Sequence, residues 1–300
     1  MEKNKLNILN KIFSRSTFRN CFDNGYDKTY SQVVRRYVDN GTGKQNSELI
    51  SQIYNVLREG YRNEYYYKNT LLNKLLLGIH SVNTTTALTE IPIAKSKADF
   101  VLINGKAVVY EIKTELDNFD RLENQINDYY KAFDHVAVVT CKENLQVLKK
   151  KIEMIGKPVG IYILQKRGTI TTIQKPQAYS VELDAEILFK ILRKQEYEEI
   201  LFNKYKHLPD VSEFKYYSEC KKMFLEIPLE EAYLSVLKLL KKRSQIIKDE
   251  FSKIPYELKF LAYFMNLKSD DYKKITKFLN ESYGCLLYTS PSPRDRSLSR

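Results

Sequence analysis

Three hundred residues, 43% of them hydrophobic, supply enough apolar material for one large or two modest cores, and a net charge of +12 favours polyanionic partners, nucleic acid first. No run of 18 or more apolar residues occurs, and the start MEKNKLNILNKIFSRS lacks the apolar centre of a signal peptide, so a cytoplasmic protein without membrane partners is expected. Cys21, Cys141, Cys220 and Cys285 stand far apart with no CxxC spacing, and His80, His135 and His207 are scattered, which excludes a zinc framework, a disulfide scaffold and a histidine-based triad.

Residues 1–45 read as a basic, aromatic N-terminal extension that ends in the loop DNGTGKQN. Ser47 and Glu48 then open a helical pattern over 47–77, with Ile50, Ile53, Tyr54, Leu57, Tyr61, Glu64, Lys68, Leu71, Leu72 and Leu75 on one face at three- and four-residue steps. TALTEIPI (86–93) reads as a strand, and ADFVLI with KAVVYEIKT as a hairpin around Asn104-Gly105. Phe119, Leu122, Ile126, Tyr129, Tyr130 and Phe133 mark a second helix. The strand HVAVVT (135–140), the helix ENLQVLKKKIEMI (143–155) and a hairpin of GIYILQ and TITTIQ follow. Residues 46–180 are thus expected to form one α/β domain. From 181 to 284 the pattern is helical, punctuated by Pro209, Pro228 and Pro255, and predicts a separate helical domain. CLLYTSPSPRD (285–295) matches one reading frame of a transposase-type sequencing adapter without a mismatch. Residues 285–300 are therefore expected to be adapter read-through, with the native chain cut near Gly284.

The apolar hairpin carries Asp99, Glu111 and Lys113. Each ionised group costs several kcal/mol to bury unless it is paired or binds a metal. A Glu–Lys pair alone would leave Asp99 unexplained, whereas a divalent ion accounts for all three.

The order helix, three strands, helix, strand, with Asp on one central strand and Glu-x-Lys on the next, resembles the PD-(D/E)XK nuclease superfamily. The tract from RNEYYYKNTLLNKLL through KSKADFVLINGKAVVYEIKTELDNFDRLENQINDYYKAFDHVAVVT is similar to uncharacterised bacterial nuclease-like proteins, with matches over about 47–175. Ala98 stands where the signature's Pro would be. The resemblance implies a restriction-endonuclease-like core with a central mixed sheet flanked by helices. It also implies phosphodiester hydrolysis with Mg²⁺, or Mn²⁺ in its place. Such an ion takes hard oxygen ligands in an octahedral shell at about 2.1 Å. Asp99, Glu111 and the Ile112 backbone carbonyl are the expected ligands, and Lys113, on the same strand face as Glu111, would orient water and offset phosphate charge.

A shared ion also constrains the turn. A three-residue loop Ile103-Asn104-Gly105 pairs Asp99 with Val109 and brings Asp99, Glu111 and Lys113 to one face; a two-residue loop would point Asp99 away. Glu64, on the apolar stripe of the first helix, is expected to hold or orient the metal, the bland alternative being an i,i+4 ion pair with Lys68. Gln125 and Tyr129 form Gln-x-x-x-Tyr, which resembles a motif of RecB-type nucleases in which the Gln faces the active site. Tyr129 itself is expected in the core. Glu115, Asp117, Lys149-Lys150-Lys151 and Lys241-Lys242-Arg243 read as solvated charge.

The expected function is a metal-dependent endonuclease on DNA ahead of RNA, in defence against foreign DNA or in handling mobile elements, with a homodimer kept open. The alternative is a catalytically silent nucleic-acid-binding module, or a toxin- or immunity-type interaction protein on the same fold.

Overall fold

Apolar strands around Asn104-Gly105 and helical stripes on either side of them determine the order of elements. The computed structural model describes residues 8–60, 62–78, 82–244 and 246–284. Helices α1 (Leu9–Ile12), α2 (Arg15–Asn24), α3 (Lys28–Tyr37) and α4 (Asn46–Gly60) precede α5 (Glu64–Leu71), which continues as a π-helical stretch over Leu72–Leu77. Strands β1 (Thr86–Ile93), β2 (Ser96–Asn104) and β3 (Lys106–Lys113) lead to α6 (Leu122–Tyr130), β4 (His135–Thr140), α7 (Leu145–Ile155), β5 (Gly160–Leu164) and β6 (Ile170–Gln174). Then come α8 (Ala185–Lys190), α9 (Lys194–Tyr205), α10 (Glu213–Leu225), α11 (Leu229–Lys241), α12 (Lys248–Ser252), a 3-10 turn (Tyr256–Leu258), α13 (Lys259–Phe264) and α14 (Ser269–Asn280).

The chain forms two compact units, one from Met1–Asn69 with Ile246–Arg300 and the other from Thr70–Gln245. In the second unit the six strands lie in sequence order in one mixed sheet, antiparallel except for the parallel pairs β3–β4 and β4–β5. Parallel neighbours need a crossover, and α6 and α7 supply the two. Every residue of β4 is buried, as are all of β3 after Lys106. Val101, Ile103, Val109 and Val138 share one core with Ile126 and Tyr129 of α6 and with Phe133 just after it.

That core continues into Leu188, Phe189, Leu201, Phe224 and Val236 of α8–α11. Thr86 Oγ1 donates to the Lys241 carbonyl at 2.6 Å, and Arg243 bridges to Glu196 at 2.5 Å within the same unit. The sequence boundary at 181 therefore does not separate two cores. Residues 185–241 belong to the sheet's unit, and α12–α14 belong to the other. Helical periodicity identifies the apolar face of each helix but not the surface that covers it.

The expected extension is also folded. Ser14 and Asp27 cap α2 and α3 by accepting from Thr17 N and from Thr29 N and Tyr30 N, and Gly25, at φ 68°, ends α2. Phe18, Phe22, Tyr30, Val33 and Val34 are buried. The Tyr30 hydroxyl donates to Asn46 Oδ1 at 2.7 Å, and Asn46 Nδ2 donates to the Phe278 carbonyl at 2.9 Å, so the chain's first helices and α14 close one unit. The helix expected over 47–77 is interrupted after Gly60; Asn63 starts α5 by accepting from Tyr66 N at 3.0 Å. An Asn cap following a Gly supplies both a stop and a new start, while the apolar stripe runs on in phase. Tyr61 and residues 285–300, with the adapter expectation, lie outside the described residues.

Sharing of one core makes a testable prediction. Phe224→Ala should cost the sheet unit about 3–5 kcal/mol. Hydrogen exchange should then show β3 and β4 amides losing protection together with α10; loss confined to α8–α11 would mean separate cores.

Candidate functional site

The β2–β3 ladder fixes the site. Its pairs are Phe100↔Tyr110, Val101↔Val109, Leu102↔Val108 and Ile103↔Ala107, with Gly105 at φ 72° in the tip. The expected Asp99–Val109 pairing is therefore wrong: Val109 faces Val101. Buried Ile103 stays in the ladder and the polar Asn104 and Lys106 take the turn. The shift is by two residues, which preserves the face on which each side chain lies. The ladder ends at Phe100–Tyr110, and continuing its register by one step would set Asp99 across from Glu111. Asp99 Oδ2 accepts from the Ile112 backbone N–H at 2.9 Å. Within a strand the N–H and C=O of one residue face the same neighbour, so the Ile112 carbonyl is directed toward β2 as well.

Glu111 and Lys113 are 2% and 6% exposed, and their carboxylate and ammonium lie 2.9 Å apart. Gln125 on α6 bridges them: its Nε2 donates to Glu111 Oε1 at 2.5 Å and its Oε1 accepts from Lys113 Nζ at 2.9 Å. One turn along, the Tyr129 hydroxyl donates to Glu111 Oε2 at 2.6 Å and lies 3.0 Å from the Lys97 carbonyl. Burial, followed by the Glu111 charge and hydrogen bond, pushes the Tyr129 phenol far above its usual range, so it stays a donor. Both members of Gln-x-x-x-Tyr thus touch the carboxylate; Tyr129 is a core residue whose polar tip belongs to the site.

Asp128 anchors α6 beside the site. Its Oδ2 accepts from Ser96 Oγ at 2.8 Å and from Lys95 N at 3.2 Å, and its Oδ1 from Lys131 at 2.9 Å. Burial works against its ionisation, but the hydrogen bonds from Lys131 and Ser96 outweigh it and hold the carboxyl below the usual 3.8. Asp117 accepts from the Thr114 N–H and hydroxyl at 2.8 and 2.7 Å, which makes it the clamp of the turn after β3.

Glu64 is the first residue of α5, not a member of an unbroken stripe, and its exposed carboxylate pairs with buried Lys68 at 2.5 Å within the first unit. Sequence reasoning missed Glu90. It lies on β1 between the pairs Thr89↔Phe100 and Ile91↔Ala98, opposite Asp99, with φ 58°. Its carboxylate comes within 4.8 Å of that of Asp99 and forms an ion pair with Lys97. An acid in TALTEIPI at a position across from Asp99 was the available signal, but the left-handed backbone is not legible in it. Glu90 and Asp99 thus bring two carboxylates together, while the Glu111 oxygens are engaged by Gln125, Tyr129 and Lys113; carboxylate and carbonyl oxygens are hard donors of the kind Mg²⁺ takes.

Comparison with known proteins assigns the chain to a family. Residues 58–260, more than half of the chain, match the family described as bacteriophage P4 protein cII. The chain belongs to that family. Protein cII of Enterobacteria phage P4 is 24% identical over 143 residues, covering 46% of this chain and 49% of that protein. The chain thus spans about half the length of this relative. No solved structure matches it. The cII-family match takes in Glu64, Glu90, Asp99, Glu111, Lys113 and Gln125 together.

The network revises what loss of Glu111 should do. Its removal would leave the Lys113 ammonium buried without its counter-ion. Glu111→Ala and Lys113→Ala should each destabilise this unit by about 3–5 kcal/mol, and the double variant by less than their sum. Urea titration of the three variants measures this. The Asp128 anchor has a pH signature. A depressed carboxyl contributes stability that is present above pH 3.8 and lost as pH falls through its folded-state value. The stability gap between wild type and Asp128→Asn should therefore shrink on acidification below 3.8, read by thermal unfolding across a pH series.

Proposed function

We propose that this cII-family chain is a Mg²⁺-dependent phosphodiesterase acting on nucleic acid, on DNA ahead of RNA, with a PD-(D/E)XK-type core inside its mixed sheet. The observation that supports this reading is the hydrogen bond from the Ile112 N–H to Asp99 Oδ2, which ties Asp99 to the strand of Glu111, where Lys113 and Gln125 bond the Glu111 carboxylate. The strand order, with a three-strand antiparallel meander followed by a helix and a parallel fourth strand, supports it. So does the net charge of +12.

Asp99, Glu111 and the Ile112 carbonyl are the residues that would hold the ion, with Glu90 beside Asp99. When bound, it supplies Lewis-acid stabilisation of charge on the phosphate oxygens. Lys113 adds a fixed positive charge in a site of low dielectric, where it lowers the cost of further negative charge on the phosphorane-like transition state. Gln125 holds both Glu111 and Lys113, which fixes the ammonium without consuming its charge. Water attacks phosphorus to form the new P–O bond and loses a proton to solvent, while the ester P–O bond breaks and the departing sugar oxygen takes a proton from solvent, which leaves a phosphomonoester and a free hydroxyl.

A silent module built on the same fold has one observation in its favour. Glu111 already accepts from Lys113, Gln125 and Tyr129, which satisfies the carboxylate without an ion. Of the roughly four lone-pair positions on a carboxylate, that leaves about one for a metal.

Incubation of supercoiled plasmid with the pure chain separates the two. Cleavage with Mg²⁺ or Mn²⁺, abolished by EDTA and by Asp99→Ala, is the expected result. Gln125→Ala should slow it about 10- to 100-fold, as loss of a partner that orients a ligand does. Plasmid bound yet intact under every metal condition would make the chain a binding module.

A further inference from the structure

Side chains alternate across β2 and β3, so Leu102, Val108 and Tyr110 lie on the sheet face opposite Glu111. They floor a groove of about 670 Å³ whose walls include Tyr162 and Thr172 from β5 and β6. Three lysines line it: Lys74 on the π-helical stretch, Lys106 in the hairpin turn and Lys175 just past β6. Among the described residues, no carboxylate lines it. Among the described residues, none of these lysines pairs with an Asp or Glu. Elsewhere in the same unit, surface lysines such as Lys190, Lys204 and Lys242 pair with glutamates.

Three uncompensated ammonium groups around one concavity create a positive potential that an anionic ligand would relieve. The groove also has a flat apolar side. Tyr110 is buried and Tyr162 half-buried, their rings edge to face with centroids 5.5 Å apart, and both line the groove. Thr169 and Thr172 add hydroxyls at the rim. The volume falls within the range of about 300–1,000 Å³ typical of small-molecule sites. A ligand that satisfies both halves carries an aromatic ring and several negative charges.

We propose that this groove is a binding site for a free nucleotide, with the base against Tyr162 and the phosphates on Lys74, Lys106 and Lys175. The site is separate from Asp99 and Glu111 and does not depend on the phosphodiesterase reading. A nucleotide bound here would stiffen β2, β3, β5 and β6 from the face that the Glu111 network does not use.

The test is calorimetric titration of the full chain with ATP in EDTA, so that no divalent ion contributes and a failed cleavage assay has no bearing on the result. ATP should bind at one site with micromolar affinity. Tyr162→Leu, which keeps apolar volume but removes the ring, should weaken it about tenfold. Lys106→Glu and Lys175→Glu, both surface changes, should each weaken it at least about tenfold, and affinity should fall with salt. Near-UV circular dichroism confirms that each variant is folded. Absence of ATP binding would overturn the proposal. So would tripolyphosphate binding as tightly as ATP, which would mean a charge patch only. A short oligothymidylate that binds more tightly than ATP and is weakened by the same substitutions would also overturn it, making the groove a path for a strand.

Discussion

Burying the Glu111 carboxylate is the constraint around which the sheet unit is organised. β3 is buried along nearly its whole length, and an ion pair in such a position is stable only if its remaining lone pairs and protons are also satisfied. Lys113 neutralises the charge, but a strand gives it only one partner on its own face. Gln125 and Tyr129 complete the set, and they can do so only if α6 crosses that face at one height and rotation. Asp128 fixes that height by holding the β1–β2 turn through Lys95 and Ser96. The helix that bridges β3 to the parallel β4 is thus positioned by polar contacts at its ends and middle, and by Leu122, Ile126 and Phe133 in the core.

Much of this was legible in the residues. The strands are short runs of β-branched and aromatic side chains bounded by turn signals, and TALTEIPI and HVAVVT coincide with β1 and β4 at both ends. The trio Asp99, Glu111 and Lys113 stood out because its cost in an apolar hairpin demands a partner. The register was not legible. Asn104-Gly105 fits loops of two lengths, and Gly105 adopts its left-handed φ in either; what decided the matter was that Ile103 stays buried in the ladder. The break in the first helix was hidden for a related reason. Gly60 and Asn63 interrupt the backbone while the hydrophobic period continues through them, so a stripe that reads as one helix is two. Partnership among helices was the least legible of all. Nothing in VELDAEILFKIL says that its apolar face meets the sheet, or that the next helical stretch after 245 closes against residues from the N-terminal end of the chain.

The two faces of the sheet are chemically unlike. On the face of Glu111 the polar groups are paired and buried, and the carboxylates dominate. On the other, the lysines around Tyr110 and Tyr162 meet no acid among the described residues. β3 contributes to both, alternating Val109, Glu111 and Lys113 with Val108, Tyr110 and Ile112. The cII-family match spans both sets of residues, so neither face is peculiar to a segment outside it.

Glu90 shows where this sheet stores strain. A glutamate with φ of 58° in a strand costs on the order of 1–3 kcal/mol and persists only where its surroundings over-determine it. The ladder does this, since Thr89↔Phe100 and Ile91↔Ala98 hold the residue from both sides, and Thr89 adds a hydroxyl bond to the Asp99 carbonyl at 2.7 Å. Two carboxylates within 4.8 Å, Glu90 and Asp99, are then kept close on adjacent strands, where their mutual repulsion adds to the backbone cost. Lys97 offsets part of it through its ion pair with Glu90, yet Lys97 is well exposed, and an exposed pair recovers little of such a cost. A fold selected for stability alone would place a glycine or an asparagine at 90. The left-handed glutamate therefore combines a backbone cost with like-charge repulsion at one place on the β1–β2 ladder, beside Asp99.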